Sequence, residues 1–430
     1  MSSQLIFTIV LILSFGFFGY TAFNIFSLFR NTKKISRLDH INERITTTLL
    51  VAFGQKKMFK RPIAGILHAT VWWGFLVVTI GTVEMMIDGI SGTERVLSSM
   101  GGFYDLVTAS GEIFAVLIIL ACVIFLIRRY IITPARFKAR EMKPSSRMDA
   151  TMILAMILIL MVSLLGMNLG YYVEHPGEIV GSYPVSKWIV INFQDISSND
   201  MSSFYTYNWW IHIVVVLLFM NILPYSKHFH VIMAVPNVFL SRQEPMAKLD
   251  TMESVTKEVK LMMDPNTAFA PPPEGAEAAA PPSFGIKDVN DATWKNLLDA
   301  YTCTECGRCT EVCPASNTGK MLSPRKLMID LRAKVKKGSK ADHGLIHENF
   351  ITEEELWACT SCMACMEECP VNIDHVPFII DMRRNLVMEE SKVPPELAMM
   401  FNNIENNGAP WQFNQSDRMK WTEELTINES

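Results

Sequence analysis

Eight of the nine cysteines fall into two copies of one pattern. Cys303, Cys306, Cys309 and Cys313 precede Pro314, and Cys359, Cys362, Cys365 and Cys369 precede Pro370, so both copies read Cys-x2-Cys-x2-Cys-x3-Cys-Pro. Three thiolates at this spacing hold three corners of a cubane from one loop, and in two-cluster proteins the fourth cysteine reaches the other cluster. The predicted [4Fe-4S] ligand sets are Cys303, Cys306, Cys309 and Cys369 for one cluster, and Cys359, Cys362, Cys365 and Cys313 for the second. Structural zinc favours paired Cys-x2-Cys knuckles, which this triple with a trailing Cys-Pro does not resemble. The ninth cysteine, Cys122, lies in an apolar run and reads as packing.

Imidazoles are the second chemical group. His68 and His212 lie inside separate long apolar runs, and His228 and His230 follow Pro224 at the end of the last one. Histidines on facing helices can hold a haem iron from both sides, so His68 and His212, on two different spans, are the candidate haem b ligands. Glu84, Glu112 and Asn168 are the other polar groups at these depths. Glu112 reads first as a structural hydrogen-bonding group and second as a proton relay. Trp72 and Trp73 read as packing, and Trp209 and Trp210 as an interfacial belt.

The elements that position these groups follow from hydropathy. The chain of 430 residues is 50% hydrophobic and 19% charged, against about 25% charged in soluble domains. Apolar runs near 4–29, 63–88, 103–127, 149–173 and 205–224 each reach the ~20 residues that cross a bilayer. The first has no basic start or small-residue cleavage site and is expected to be retained. Residues 1–240 hold 19 Lys and Arg against 13 Asp and Glu, which leaves 20 against 30 for residues 241–430. A basic apolar half and an acidic polar half exclude an ordinary soluble enzyme, a disordered chain and a secreted disulfide scaffold. The acidic half also argues against nucleic acid as a partner.

The first and third connections carry most of the basic residues, from Arg30 to Arg61 and from Arg128 to Arg147. Lys and Arg accumulate on the cytoplasmic side, so the prediction is an integral inner (cytoplasmic) membrane protein with its N-terminus outside. The cysteines then lie in the reducing cytoplasm, where disulfides are rare.

A Pro/Ala/Glu tract from Pro271 to Pro282 reads as a spacer, after a loose helical pattern over 247–263. Between the cysteine motifs, Ser323–Val335 reads as a helix with Pro324 at its first position. Thr352 with Glu355 reads as a capping box, and Val376–Val387 as a further helix. The expected fold is mainly α: a five-helix transmembrane bundle followed by a cytoplasmic α-helical ferredoxin domain. Its expected parts are 1–240 (haem b membrane domain), 241–290 (amphipathic segment and linker), 291–395 (two-cluster domain) and 396–430 (tail).

Taken together, these motifs resemble the membrane-bound iron–sulfur oxidoreductases related to heterodisulfide reductase. In that family a nitrate-reductase-gamma-like cytochrome b domain is fused to an α-helical ferredoxin domain. The resemblance implies that His212 and His230, 18 positions apart, match the two ligand positions of the last span. It likewise implies that His68 and Met58, 10 positions apart, match those of the second span. His68 would then share one haem with His212. A second haem at His230 would need Met58, His228 or His40 as its other ligand. Helix rise puts His68 about 10 Å past Arg61 and His212 about 22 Å before Lys227, so the first pairing needs tilted helices.

The segment Asn403–Trp411 resembles the lead into cysteine-rich CCG domains. The resemblance therefore implies a separate CCG-domain subunit of the heterodisulfide-reductase-B type, with electron-transferring flavoprotein and menaquinone as exchange partners. The function so implied is electron transfer between a cytoplasmic partner and the quinone pool through two [4Fe-4S] clusters and haem b. The rivals are an iron–sulfur redox sensor at the membrane without quinone turnover, and a redox-linked transporter.

Overall fold

The structure, a computed structural model, describes residues 3–193, 200–264, 283–338 and 343–423. The spacer tract Pro271–Pro282 lies outside them. Five helices are long and apolar enough to cross a membrane: α1 (Ser3–Asn31), α2 (Pro62–Ser91), α3 (Gly102–Ile132), α4 (Pro144–Glu174) and α5 (Met201–Tyr225). They coincide with the five apolar runs. Proline opens α2 and α4 at the first turn, where its missing N–H has no partner to lose. Gly92, left-handed at φ 72°, closes α2 with its N–H on the Asp88 carbonyl.

Side chains such as Leu13, Phe23, Ile63 and Ile131 are exposed on the bundle's outer surface, an apolar area far beyond what water tolerates. Inside, Ala115, Ile118 and Cys122 of α3 pack with Leu160 and Met161 of α4. A second cluster joins Phe7, Met85, Met167 and Ile213 from four helices. Small residues set the spacing: a Cβ on Gly74 would lie 2.7 Å from Ile118 Cδ1, the close approach typical of membrane helices. Cys122 is fully buried here as packing, and Glu112 accepts from the Val185 and Ser186 amides and the Ser186 hydroxyl as a structural anchor.

After α5 the chain turns into α6 (His230–Phe239). The cysteine region is helical as expected: α7 (Trp294–Thr302), α8 (Arg308–Glu311), α9 (Pro324–Lys337), α10 (Glu353–Trp357), α11 (Ala364–Glu368) and α12 (His375–Met388). Ser323 caps α9 and Thr352 forms a capping box with Glu355. Among the described residues there is no strand, only two isolated bridges.

The chain divides into two compact units. One is Met1–Leu249 with Asp288–Val376, and the other is Asp250–Lys287 with Pro377–Ser430. The first holds the bundle and all eight motif cysteines. In the second, a helix begins at Glu253 rather than near 247, because Met252 is extended at the cap position. Its Ile286 N–H bonds the Asp381 carbonyl, and its last helix, Pro395–Asn407, ends at left-handed Gly408 within the Asn403–Trp411 segment.

Inside the first unit, the loops after α1 and α3 and the exit of α5 grip the cysteine region. Arg61 pairs with Glu311 at 2.6 Å and Glu368 at 3.3 Å, and Lys60 with Glu367 at 2.5 Å. Arg136 pairs with Glu311 at 2.7 Å, and Lys227 with Glu305 at 3.8 Å. Asn237 of α6 donates to the Val371 carbonyl at 2.8 Å, and the Trp294 indole to the Ile35 carbonyl at 2.9 Å.

Candidate cofactor sites

The two cysteine motifs fold into the same loop. Glu305 and Ser361, each just before the second cysteine, have φ of 55° and 54°. The next residue past that cysteine is left-handed again: Gly307 at 74° and Met363 at 62°. Non-glycine residues occupy this region at a cost, and strain of this kind collects at functional sites. Each left-handed residue then opens a short helix, α8 or α11, that carries the third cysteine.

Cys303, Cys306, Cys309 and Cys369 line one cavity, with Gly307 and Arg325 among the other wall residues. This is the predicted first set, with the fourth thiol arriving from the other motif. Burial raises Cys303 to about 11 and Cys369 to about 12. Burial also raises Cys309 well above its ordinary value, and the thiols of Cys306, Cys303 and Cys369 add to it. Burial raises Cys365 too, reinforced by Cys359, Cys313 and Cys362, which gathers the predicted second set. Among the described residues no three His, Cys, Asp or Glu side chains converge on one ion position.

Backbone amides already address the sulfurs: Ser361 N–H lies 3.4 Å from Cys359 Sγ and Ile373 N–H 3.4 Å from Cys369 Sγ. Exposure differs between the quartets. In the first set Cys303, Cys309 and Cys369 are buried and Cys306 half-buried; in the second Cys313 and Cys365 are buried, Cys359 half-buried and Cys362 exposed.

The imidazoles do not pair as the family spacing implied. His68 faces His230, with ring centres 6.4 Å apart and planes at 29°, while His212 stands elsewhere. The reason is depth. His68 is seven residues into α2 at its cysteine-side end, and His230 follows the turn that ends α5 on the same side. His212 lies 13 residues before the end of α5, about 20 Å away along the helix.

Both facing rings have their Nδ1 occupied from behind. His68 Nδ1 lies 3.1 Å from Gln55 Oε1, and the Gln55 amide nitrogen donates to the Ala52 carbonyl at 2.5 Å, which fixes its orientation. His230 Nδ1 donates to the Lys227 carbonyl at 3.0 Å. Each ring therefore keeps Nε2 as its free lone pair. Burial lowers His230 to about 3, which holds it neutral and able to ligate. Two imidazoles bound to one iron through bonds of about 2 Å have centres about 6 Å apart, so this pair fits a haem iron between them. Gln55 is a supporting residue that sequence reasoning missed, and its left-handed φ of 55° has no signature in the sequence.

His228 is held by Ser226 at 2.9 Å and lies 3.7 Å from Asp149, and His40 is half exposed beside Asp39. The His228 ring centre lies 5.8 Å from that of His230, so His68 and His228 both stand beside it. His212 donates from Nδ1 to the Leu160 carbonyl at 3.0 Å and lines a second, partly open cavity with Glu84, Met85, Arg95, Asn168 and Trp209.

Comparison with known proteins agrees with the thiol geometry. Residues 299–373 match the 4Fe-4S dicluster domain model. The chain is 32% identical over 423 residues to a probable iron-sulfur-binding oxidoreductase of Bacillus subtilis, covering 89% of this chain and 55% of that protein. It is 29% identical over 442 residues to the EtfAB:quinone oxidoreductase of Syntrophomonas wolfei, covering 92% and 56%. It is 34% identical over 98 residues to one component of a CoB-CoM heterodisulfide reductase of Methanosarcina acetivorans, covering 23% and 52%. The chain thus spans about half the length of these curated relatives. No solved structure matches it. With its dicluster domain behind five apolar helices, the chain is a relative of the iron–sulfur oxidoreductases allied to heterodisulfide reductase.

Proposed function

We propose that the chain is a membrane electron-transfer subunit joining a soluble redox partner to the quinone pool. The observation that carries this is the docking, in one unit, of two thiol quartets onto the bundle end that holds the opposed imidazoles. Cys303, Cys306, Cys309 and Cys369 would hold an inner cubane, Cys313, Cys359, Cys362 and Cys365 an outer one, and His68 with His230 a haem b. Bound there, these groups supply one-electron steps at potentials set by ligands, burial and hydrogen bonds.

The residues order the route. Exposed Cys362 puts the outer quartet toward a soluble partner, and the buried inner quartet lies toward the membrane. That partner is a CCG-domain subunit or an electron-transferring flavoprotein, consistent with the name of the Syntrophomonas relative. The basic loops grip the cysteine region, and the positive-inside bias supports a cytoplasmic position for it. His212 is assigned to the second cavity, where its free Nε2, with Asn168 and Glu84, offers hydrogen bonds to a quinone headgroup.

The test is iron and haem content per purified chain. About eight non-haem irons and a low-spin haem b band are expected. His68→Ala and His230→Ala should each abolish the band, while His212→Ala keeps it and loses quinol-dependent haem reduction. Absence of both cofactors refutes the reading, and loss of haem in His212→Ala makes that residue a ligand. Loaded cofactors that no quinol can reduce would favour a membrane redox sensor.

A further inference from the structure

We propose that Arg308 is a cation shared by the inner cluster and the haem, favouring the reduced form of both. The inference rests on the assignment of those two sites above. Four arginines are almost wholly buried: Arg44, Arg136, Arg308 and Arg325. Three of them hold a carboxylate: Arg44 with Asp39 at 2.5 Å, Arg136 with Glu311 at 2.7 Å and Arg325 with Glu141 at 2.6 Å. Arg308 forms no ion pair among the described residues. Its one hydrogen bond runs from Nη1 to the Lys57 carbonyl at 3.1 Å.

A guanidinium cannot shed its proton inside a protein, and a buried charge without a counter-charge is strongly unfavourable. The surroundings show where the counter-charge belongs. Arg308 stands between Gly307 and the ligand Cys309, within electrostatic reach of Cys306. Its charge also bears on the ring of His68. The carboxylate Glu368, within its reach, is bonded to Arg61 at 3.3 Å, and Arg61 and Arg136 repel the Arg308 guanidinium. Four thiolates leave a cubane net negative, and each added electron deepens that charge. An electron added to the haem iron does the same on the other side. One fixed cation beside both centres therefore raises both midpoint potentials together and keeps them in step.

The experiment uses the full-length, cofactor-loaded protein in detergent, with the haem titrated optically and the clusters by electron paramagnetic resonance. R308Q should weaken reduction of the haem and of the inner cluster about tenfold each, or about 59 mV for one electron. The outer cluster should stay where it is. R308K keeps the charge on a shorter reach, and should move both centres in the same direction by less. It supplies the measurement if R308Q fails to load cofactor. Unmoved potentials, a shift in one centre alone, or equal shifts in all three centres would overturn the proposal. A wild-type protein without a haem band or cubane signal would instead overturn the site assignments.

Discussion

Glu141 lies in the connection between α3 and α4, yet its Oε1 accepts from Ser323 Oγ at 2.6 Å and from Arg325 Nε and Nη2 at 3.0 and 2.6 Å. Burial pushes its carboxyl up, and Ser323 and Arg325 outweigh this to hold it below the usual range. Arg325 is fully buried. Glu141→Ala therefore strands a buried guanidinium, which costs about 3–5 kcal/mol. At about 1.4 kcal/mol per tenfold, the contact between the bundle loops and the cysteine region weakens by about 150- to 4,000-fold. The partly exposed Arg61–Glu368 pair, with side chains 28% and 15% accessible, is the control, because such pairs contribute under about 1 kcal/mol. A single unfolding free energy is ill-defined for a multi-part membrane protein, so the measurement is amide hydrogen exchange over 303–335. Protection should collapse in Glu141→Ala, barely change in Glu368→Ala, and largely return in Glu141→Ala with Arg325→Met. Unchanged exchange in Glu141→Ala, or equal effects at Glu141 and Glu368, would refute the assignment of this pair as the anchor.

Gly307→Ala should destabilise the inner quartet by more than the ~1 kcal/mol of a left-handed alanine, because its Cβ would also meet Arg325 Nη1 at 2.5 Å; inner-cluster occupancy reads this. Cys362→Ser should remove the outer cluster and leave about four non-haem irons, with the haem band intact. In the iron-free protein the buried thiols of Cys303 and Cys369 ionise only near 11 and 12, whereas the unfolded chain loses those protons near 9. Stability of the cysteine region should therefore fall as pH rises above about 9, by up to ~1.4 kcal/mol per unit per thiol, which the intrinsic-rate-corrected amide exchange of 303–335 from pH 8 to 10 would register.

The thiol sets were legible because cluster chemistry is written in local spacing, and Cys303 to Cys309 or Cys359 to Cys365 span one loop each. The five spans were legible because bilayer thickness sets a length that hydropathy reveals directly. Capping at Ser323 and Thr352 was equally local. The partner of His68 was not legible, since it depends on how α5 ends and turns into α6, and family spacing pointed instead to His212. Arg308 and Glu141 were hidden for a related reason. A charged residue in a loop looks solvated until the fold shows what covers it, and no periodicity distinguishes Arg308 from Arg136.

The charge asymmetry of the chain has two physical roles. Lys60, Arg61 and Arg136 belong to the two basic connections and Lys227 to the exit of α5, and these side chains bond Glu367, Glu311, Glu368 and Glu305 of the acidic region. The positive side of the bundle and the face that receives the clusters are therefore one surface, and a single accessibility measurement orients the whole protein. Lys320 is exposed in the cysteine region, so Lys320→Cys offers a reporter that leaves the motif thiols in place. A membrane-impermeant thiol reagent should label it in inside-out vesicles and not in intact cells, with the signal above that of the unsubstituted protein. Labelling from outside intact cells would reverse the orientation, and would mean that these basic residues serve the docking surface without setting the topology.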